Sequence, residues 1–193
     1  MPFNHFDFIA PHYDSLFRFD RLEKILSIIG LPAGGTLLDA GGGTGRVAEV
    51  LRPHIDQVIV ADLSMGMLSQ AHGKGLPAVC TPTERLPFPD DFFERVLMVD
   101  ALHHVYNQAA TARELWRVLK PGGRLVIEEP DIRRFSVKLV ALAEKLALMR
   151  SRIVSARRIS NLFAFDNATI KLDSLQYTVW VVVEKEAGAA ILA

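Results

Sequence analysis

Three glycines at alternate positions, Gly41, Gly43 and Gly45, stand between two aspartates that each close an apolar run, and these five residues hold the chain's clearest chemistry. Thr36-Leu37-Leu38 ends in Asp39, and Val58-Ile59-Val60-Ala61 ends in Asp62. Glycine adopts positive φ without a Cβ penalty and lets the backbone approach a ligand closely. Val47, Ala48 and Leu51 resume helical spacing directly after the loop, so a helix N-terminus faces whatever the loop holds. In such folds a carboxylate about twenty residues past the loop accepts the hydroxyls of a ribose, and Asp62 stands near that distance. The pattern predicts a nucleoside cofactor.

The loop also says which kind. A dinucleotide site needs a third small residue so that helix and strand can pack closely, and here that position is Arg46. Asp39 would repel a pyrophosphate but suits a cofactor that carries an ammonium and a sulfonium. With these features the chain resembles the class I S-adenosylmethionine-dependent methyltransferases, in the type 11 group related to ubiquinone and menaquinone methyltransferases. The resemblance continues through Asp62-Leu63-Ser64-Met65-Gly66-Met67-Leu68, Leu86-Pro87-Phe88, Phe93-Glu94-Arg95-Val96 and Arg117-Val118-Leu119-Lys120-Pro121-Gly122-Gly123-Arg124, in the family's order. It implies transfer of a methyl group from S-adenosyl-L-methionine to a small-molecule acceptor, with S-adenosyl-L-homocysteine as product. A non-catalytic cofactor-binding protein, acting as sensor or partner subunit, is the alternative.

Chemistry and resemblance together assign the roles. Asp39 and Gly41 would meet the methionine portion of the cofactor, Asp39 offering charge to its amino group; otherwise Asp39 only orders the loop. Gly43 and Gly45 give clearance, or serve the strand-to-helix turn alone. Asp62 accepts both ribose hydroxyls, with helix capping as its other reading. Leu63 and Met65 are adenine walls or core. Many relatives carry an acidic residue after strand three that accepts from the adenine amine; here Thr81-Pro82-Thr83-Glu84 shifts that contact to Thr83, Glu84, backbone or water. Glu94 replaces a usual aspartate and reads as surface capping. His103 and His104 follow strand four, at the edge where open parallel sheets bind ligands, and an imidazole there is a candidate catalytic base. Adjacent residues point apart, so at most one faces an acceptor; the other reading is loop hydrogen bonding. Asp100, Glu128 and Asp131 are weaker candidates at the same edge. Tyr13, in a lead-in segment that resembles the family's cofactor lid, would reach the carboxylate end of the cofactor.

The elements that must position these residues alternate between strand and helix, the pattern of a parallel sheet covered on both faces. The expected fold is α/β, a Rossmann-like doubly wound, mostly parallel seven-stranded sheet that ends in an antiparallel strand pair. Strands are expected near Thr36 to Asp39, Val58 to Asp62, Ala78 to Thr81, Arg95 to Asp100 and Arg124 to Glu129, with the final pair at Ala168 to Asp173 and Thr178 to Glu184. Ser64 is an expected N-cap. Asp20-Arg21-Leu22-Glu23 looks like a helix start, and Pro121-Gly122-Gly123 a helix stop. One domain over residues 1–193 is expected, with lid helices in 1–30, an acceptor-side helical segment in 131–165 and a loose tail from Glu186.

Composition narrows the partners. Lys plus Arg number 22, as do Asp plus Glu, so there is no global basic field for nucleic acid. Half the residues are hydrophobic, enough for an independent core. The single Cys80 lies in an apolar run and reads as a buried strand thiol. No motif for a metal is present. No apolar run reaches membrane-spanning length and the first residues lack a signal-peptide pattern, which predicts a cytoplasmic protein without stable membrane insertion. Between Asp131 and Ser160 basic residues outnumber acidic ones, and the stripe Leu139, Leu142, Leu146, Met149, Ile153 has helical spacing. This basic amphipathic helix is either a solvated surface element or an attractor for an anionic or lipid-like acceptor.

Overall fold

The computed structural model describes residues 5–133 and 152–187. Fourteen elements are needed to follow the site: α1 (His5–Ile9), α2 (Tyr13–Leu16), α3 (Leu22–Ile29), β1 (Thr36–Ala40), α4 (Arg46–Leu51), β2 (Gln57–Asp62), α5 (Met65–Gly73), β3 (Ala78–Cys80), β4 (Phe93–Val99), α6 (Gln108–Val118), β5 (Leu119–Pro130), α7 (Ala156–Leu162), β6 (Ala168–Leu175) and β7 (Thr178–Lys185). The strands form one seven-stranded sheet in the order β3-β2-β1-β4-β5-β7-β6. The first five are parallel, and β7 runs antiparallel to both β5 and β6. The expected Rossmann-like fold is the observed one.

Both faces of the sheet are covered, which is why its central strands are apolar on both sides. One face packs Ile25 and Ile29 of α3, Val47 and Leu51 of α4 and Leu68 of α5 against Leu37, Val60, Leu97, Val126 and Trp180. The other packs Ala112 and Leu115 of α6, Ile159 of α7 and Phe163 just past its end against Leu38, Val96, Met98, Ile127 and Val181. Side-chain caps start three of these helices: Ser64 accepts from Met67 N–H, Asn107 from Ala110 N–H and Ser155 from Arg158 N–H. A left-handed Gly30, at φ +74°, ends α3.

Several boundaries and roles differ from expectation. Helix α3 starts at Leu22 with Arg21 as its uncapped N-terminal neighbour, so Asp20 does not cap it. With Ile25 and Ile29 fully buried, α3 is a core layer and not part of a lid. The Pro121-Gly122-Gly123 segment lies inside β5, at a register shift between the pairs Phe93–Leu119 and Arg95–Arg124. Glu94 does cap, but as a tie across the sheet: its carboxylate accepts from Thr36 N–H at 2.6 Å and pairs with Lys120. Cys80 is exposed, on a three-residue strand at the edge of the sheet. The stripe Leu139 to Met149 lies outside the described residues, as do residues 188–193 of the tail. Among the described residues no helix is long and apolar enough to cross a membrane.

Candidate active site

Strand order reverses between β2-β1 and β4-β5, so the carboxyl ends of β1 and β4 diverge and open a crevice. That is where open α/β sheets bind ligands. The glycine loop leaves β1 into this crevice and Asp100 leaves β4 into it, with φ +52°, a left-handed conformation unusual for a residue with a Cβ. At Gly45, φ is +70° and a Cβ would collide with Leu76 of the neighbouring packing layer, so only glycine lets α4 start there.

Asp39 lies under the loop at 1% exposure, and neither carboxylate oxygen has a hydrogen-bond partner among the described residues. Burial pushes its pKa up to about 7, with the Arg46 guanidinium and the nearby Ala48 N–H pulling the other way. Gly42 passes so close above it that a Cβ there would sit 2.6 Å from the carboxylate carbon. Buried carboxylates are normally hydrogen-bonded, and an orphan beneath a ligand loop suits a missing cation or donor. This donor set fits a cofactor with an ammonium group.

Asp62, at the end of β2, accepts from Gly43 N–H at 2.9 Å on one oxygen and from Ser64 N–H at 2.8 Å on the other. It therefore joins the glycine loop to the start of α5, the capping reading. Each oxygen keeps a second lone pair, so the geometry also leaves room for two hydroxyl donors. Burial raises its pKa, against the backbone donors that favour the charged form. Leu63 and Met65 are 64% and 62% exposed, which removes the core reading and leaves two apolar side chains open beside Asp62.

The adenine-edge expectation changes. Thr83 is buried and its hydroxyl shares a hydrogen bond of 3.1 Å with Thr111 of α6. The Glu84 carboxylate accepts from Asn107 N–H at 3.0 Å. Both residues strap the post-β3 loop to the start of α6.

The two histidine side chains do not point apart as expected: their ring centroids lie 3.9 Å from each other, with the ring planes inclined at 50°. His103 is 3% exposed, its Nδ1 lies 2.6 Å from Glu129 Oε2, and Glu129 Oε1 accepts from Leu102 N–H at 2.8 Å. A buried carboxylate thus anchors this loop and holds the His103 ring by its Nδ1. His104 is half-buried and its ring stands edge-on to Phe6 of α1, 5.0 Å between centroids. Glu128 is equally committed, accepting from Arg21 at 2.9 Å and Trp180 Nε1 at 2.9 Å.

Residues 5–16 lie across the crevice. Asp7 accepts from Ser64 Oγ at 2.5 Å and from Gly66 N–H at 2.9 Å, at the start of α5. Asp14 accepts from Thr44 Oγ1 in the loop and from Lys74 Nζ, each at 2.5 Å. Tyr13 lies under the Arg46 guanidinium, 5.9 Å from ring centroid to Cζ, and burial raises its phenol pKa. Arg46 in turn donates to Asp100 at 3.1 Å. Sequence reasoning used Arg46 only to exclude a dinucleotide and did not single out Asp7 or Asp14; the lone signal was acidic residues in a segment expected to cover the loop. Among the described residues no cluster of three or more His, Cys, Asp or Glu could hold a metal.

Fold and crevice together define an α/β protein built to hold a positively charged nucleoside cofactor at its sheet's switch point. A family model described as a methyltransferase domain matches residues 38–127. The chain is 36% identical over 135 residues to a demethylmenaquinone methyltransferase of Mycolicibacterium paratuberculosis, covering 70% of this chain and 58% of that one. It is 34% identical over 110 residues to the ubiquinone/menaquinone biosynthesis C-methyltransferase UbiE of Coxiella burnetii, covering 51% and 44%. The chain thus spans about half the length of the curated relatives it matches. In structure it is similar to a Haloferax volcanii methyltransferase solved in complex with the Trm112 methyltransferase activator: TM-score 0.83, 18% identity, 96% of this chain and 100% of that one. These findings support a class I S-adenosylmethionine-dependent methyltransferase of the type 11 group.

Proposed function

We propose that this protein methylates a small, lipid-like acceptor with S-adenosylmethionine and releases S-adenosylhomocysteine. The observation that carries the reading is the orphaned, buried Asp39 carboxylate beneath a glycine loop whose Gly43 N–H is held by Asp62 at the end of the adjacent strand. When bound, the cofactor supplies an electrophilic methyl group on a sulfonium. Asp39 holds its amino group, Asp62 its ribose hydroxyls, and Leu63 and Met65 the faces of its adenine; Gly41, Gly43 and Gly45 leave space for it. Quinone methyltransferases among the relatives support an apolar acceptor, and the exposed Arg157 and Arg158 of α7 would favour one with negative charge.

Positioning and water exclusion are the lid's work. Asp7, Asp14 and Phe6 fasten residues 5–16 to α5, the glycine loop and the post-β4 loop, and a closed cover of this kind keeps water from the reacting groups. His104 is the base that removes the proton from a hydroxyl or an acidic carbon of the acceptor. Calorimetry should detect S-adenosylhomocysteine and not NAD; tighter binding of NAD overturns the reading. With labelled S-adenosylmethionine and a panel of quinol, phenol and amine acceptors, turnover should appear, and His104→Ala should lower it by roughly two to four orders of magnitude at nearly unchanged cofactor affinity. Cofactor binding without any product would favour the non-catalytic alternative.

A further inference from the structure

The last strand of the sheet, β6, has β7 on one side and no partner strand on the other among the described residues. Glu186 N–H donates to the Asn167 carbonyl, and the register pairs Thr169 with Glu184, Lys171 with Val182 and Asp173 with Trp180. Backbone groups in an antiparallel ladder alternate sides, so the odd-numbered residues turn theirs to β7. Ile170, Leu172 and Ser174 present theirs outward, whereas Ala168 N–H donates to the Phe165 carbonyl. A row of such groups is a template for another strand. Apolar side chains are exposed along the same hairpin, at Leu172 (52%), Leu175 and Tyr177.

The charges on this edge select the partner. Lys171 and Asp173 share one face of β6; Lys171 reaches Glu184 at only 3.4 Å, and Asp173 accepts from Lys24 at 2.5 Å. Consider the strand paired antiparallel with a copy of itself about a two-fold axis. An axis at residue 171 sets Lys171 against its own copy, and an axis at 173 sets Asp173 against its own; like charges directly opposite destabilise a ladder. An axis at Leu172 sets each Lys171 against the other copy's Asp173, twice. In that register the outward groups of Ile170 meet those of Ser174, Leu172 meets Leu172, and Leu175 lies beside Thr169. Ser174 N–H, which donates to Asp173 Oδ1 at 2.7 Å, exchanges that bond for the Ile170 carbonyl of the second copy.

We propose that β6 is a self-association edge: two copies of this chain pair their β6 strands antiparallel about a two-fold at Leu172, joining two seven-stranded sheets into one. The contact does not depend on the cofactor crevice. One edge strand buries less than the roughly 1,200–2,000 Å² typical of stable complexes, so the dimer forms reversibly with concentration. Sedimentation velocity on the full chain tests it. The wild type should move from monomer to dimer as concentration rises, and K171D and D173K should each weaken dimerisation at least tenfold. An equimolar mixture of the two variants should restore it, because one strand then carries two acids where the other carries two bases. Circular dichroism of each variant verifies folding. A wild type that stays monomeric at every concentration, a dimer indifferent to both reversals, or a mixture no better than the single variants overturns the proposal.

Discussion

Asp39 shows how one residue can trade stability for binding. A carboxylic acid held near 7 in the folded state and at 3.8 when unfolded costs stability as it ionises. The folded chain then binds the extra proton between those values, so stability falls as pH rises from about 4 to about 7, by up to about 1.4 kcal/mol per unit, and levels off above. A cationic group placed beside it reverses the preference. Affinity for S-adenosylhomocysteine should therefore rise with pH up to about 7, and binding at pH 6 should release a proton. Calorimetry in buffers of different ionisation enthalpy reads that proton directly, and a buffer-independent enthalpy would remove Asp39 from the binding site. Asp39→Asn, which keeps the shape and deletes the charge, should raise the melting temperature at pH 8 by several degrees, for a gain of about 2 kcal/mol, while lowering cofactor affinity about tenfold or more. An unchanged melting temperature would mean that the buried charge is compensated in solution.

At the scale of elements, the lid is held by polar contacts more than by packing. Helix α1 is five residues long and far too short to persist alone. Asp7 fixes it to the start of α5, where a carboxylate is also favoured by the helix dipole. Asp7→Ala should release this cover, increasing the dissociation rate of S-adenosylhomocysteine by about five- to tenfold, equivalent to about 1 kcal/mol, with little change in melting temperature. Stopped-flow release measures it; unchanged release would assign α1 a role apart from cofactor retention. The contrast with α3 is instructive. Both segments precede β1 and both carry apolar residues, yet Ile25 and Ile29 recur at helical spacing over two turns and find a sheet to cover, whereas Phe8 of α1 points to solvent. Periodicity separates a core helix from a cover, and the resemblance alone merged them.

For the molecule as a whole, the crevice exists because the sheet is wound in both directions from β1. Its two halves meet at β1 and β4, whose ladder pairs Leu37, Leu38 and Asp39 with Arg95, Val96 and Leu97. A cofactor seated across that seam would bind the folded chain and not the unfolded one. At a hundred times its dissociation constant, S-adenosylhomocysteine should stabilise the fold by about 2.7 kcal/mol and raise the melting temperature by roughly 5–10 °C. NAD at equal concentration should leave it unchanged, and thermal denaturation of the full chain compares the two.

The order of strands and helices, the glycine loop and Asp39 and Asp62 were legible in the sequence because each is local. Apolar runs of strand length, glycines where a turn needs positive φ, and a serine one residue before a helix act on their immediate neighbours. What distinguishes the two histidines was not local: His103 and His104 have identical side chains, and Glu129, twenty-six residues away in β5, pairs with the buried His103. The partners of Thr83 and Glu84 come into view only with α6 beside them, and Cys80 looked buried until β3 proved to be the edge of the sheet. Arg46 carried a meaning in the sequence only as a departure from a motif, and its contacts with Tyr13 and Asp100 come from elements 33 and 54 positions apart from it. Residue type and spacing fix what a segment can do; long-range packing determines which of its side chains remain free to do it.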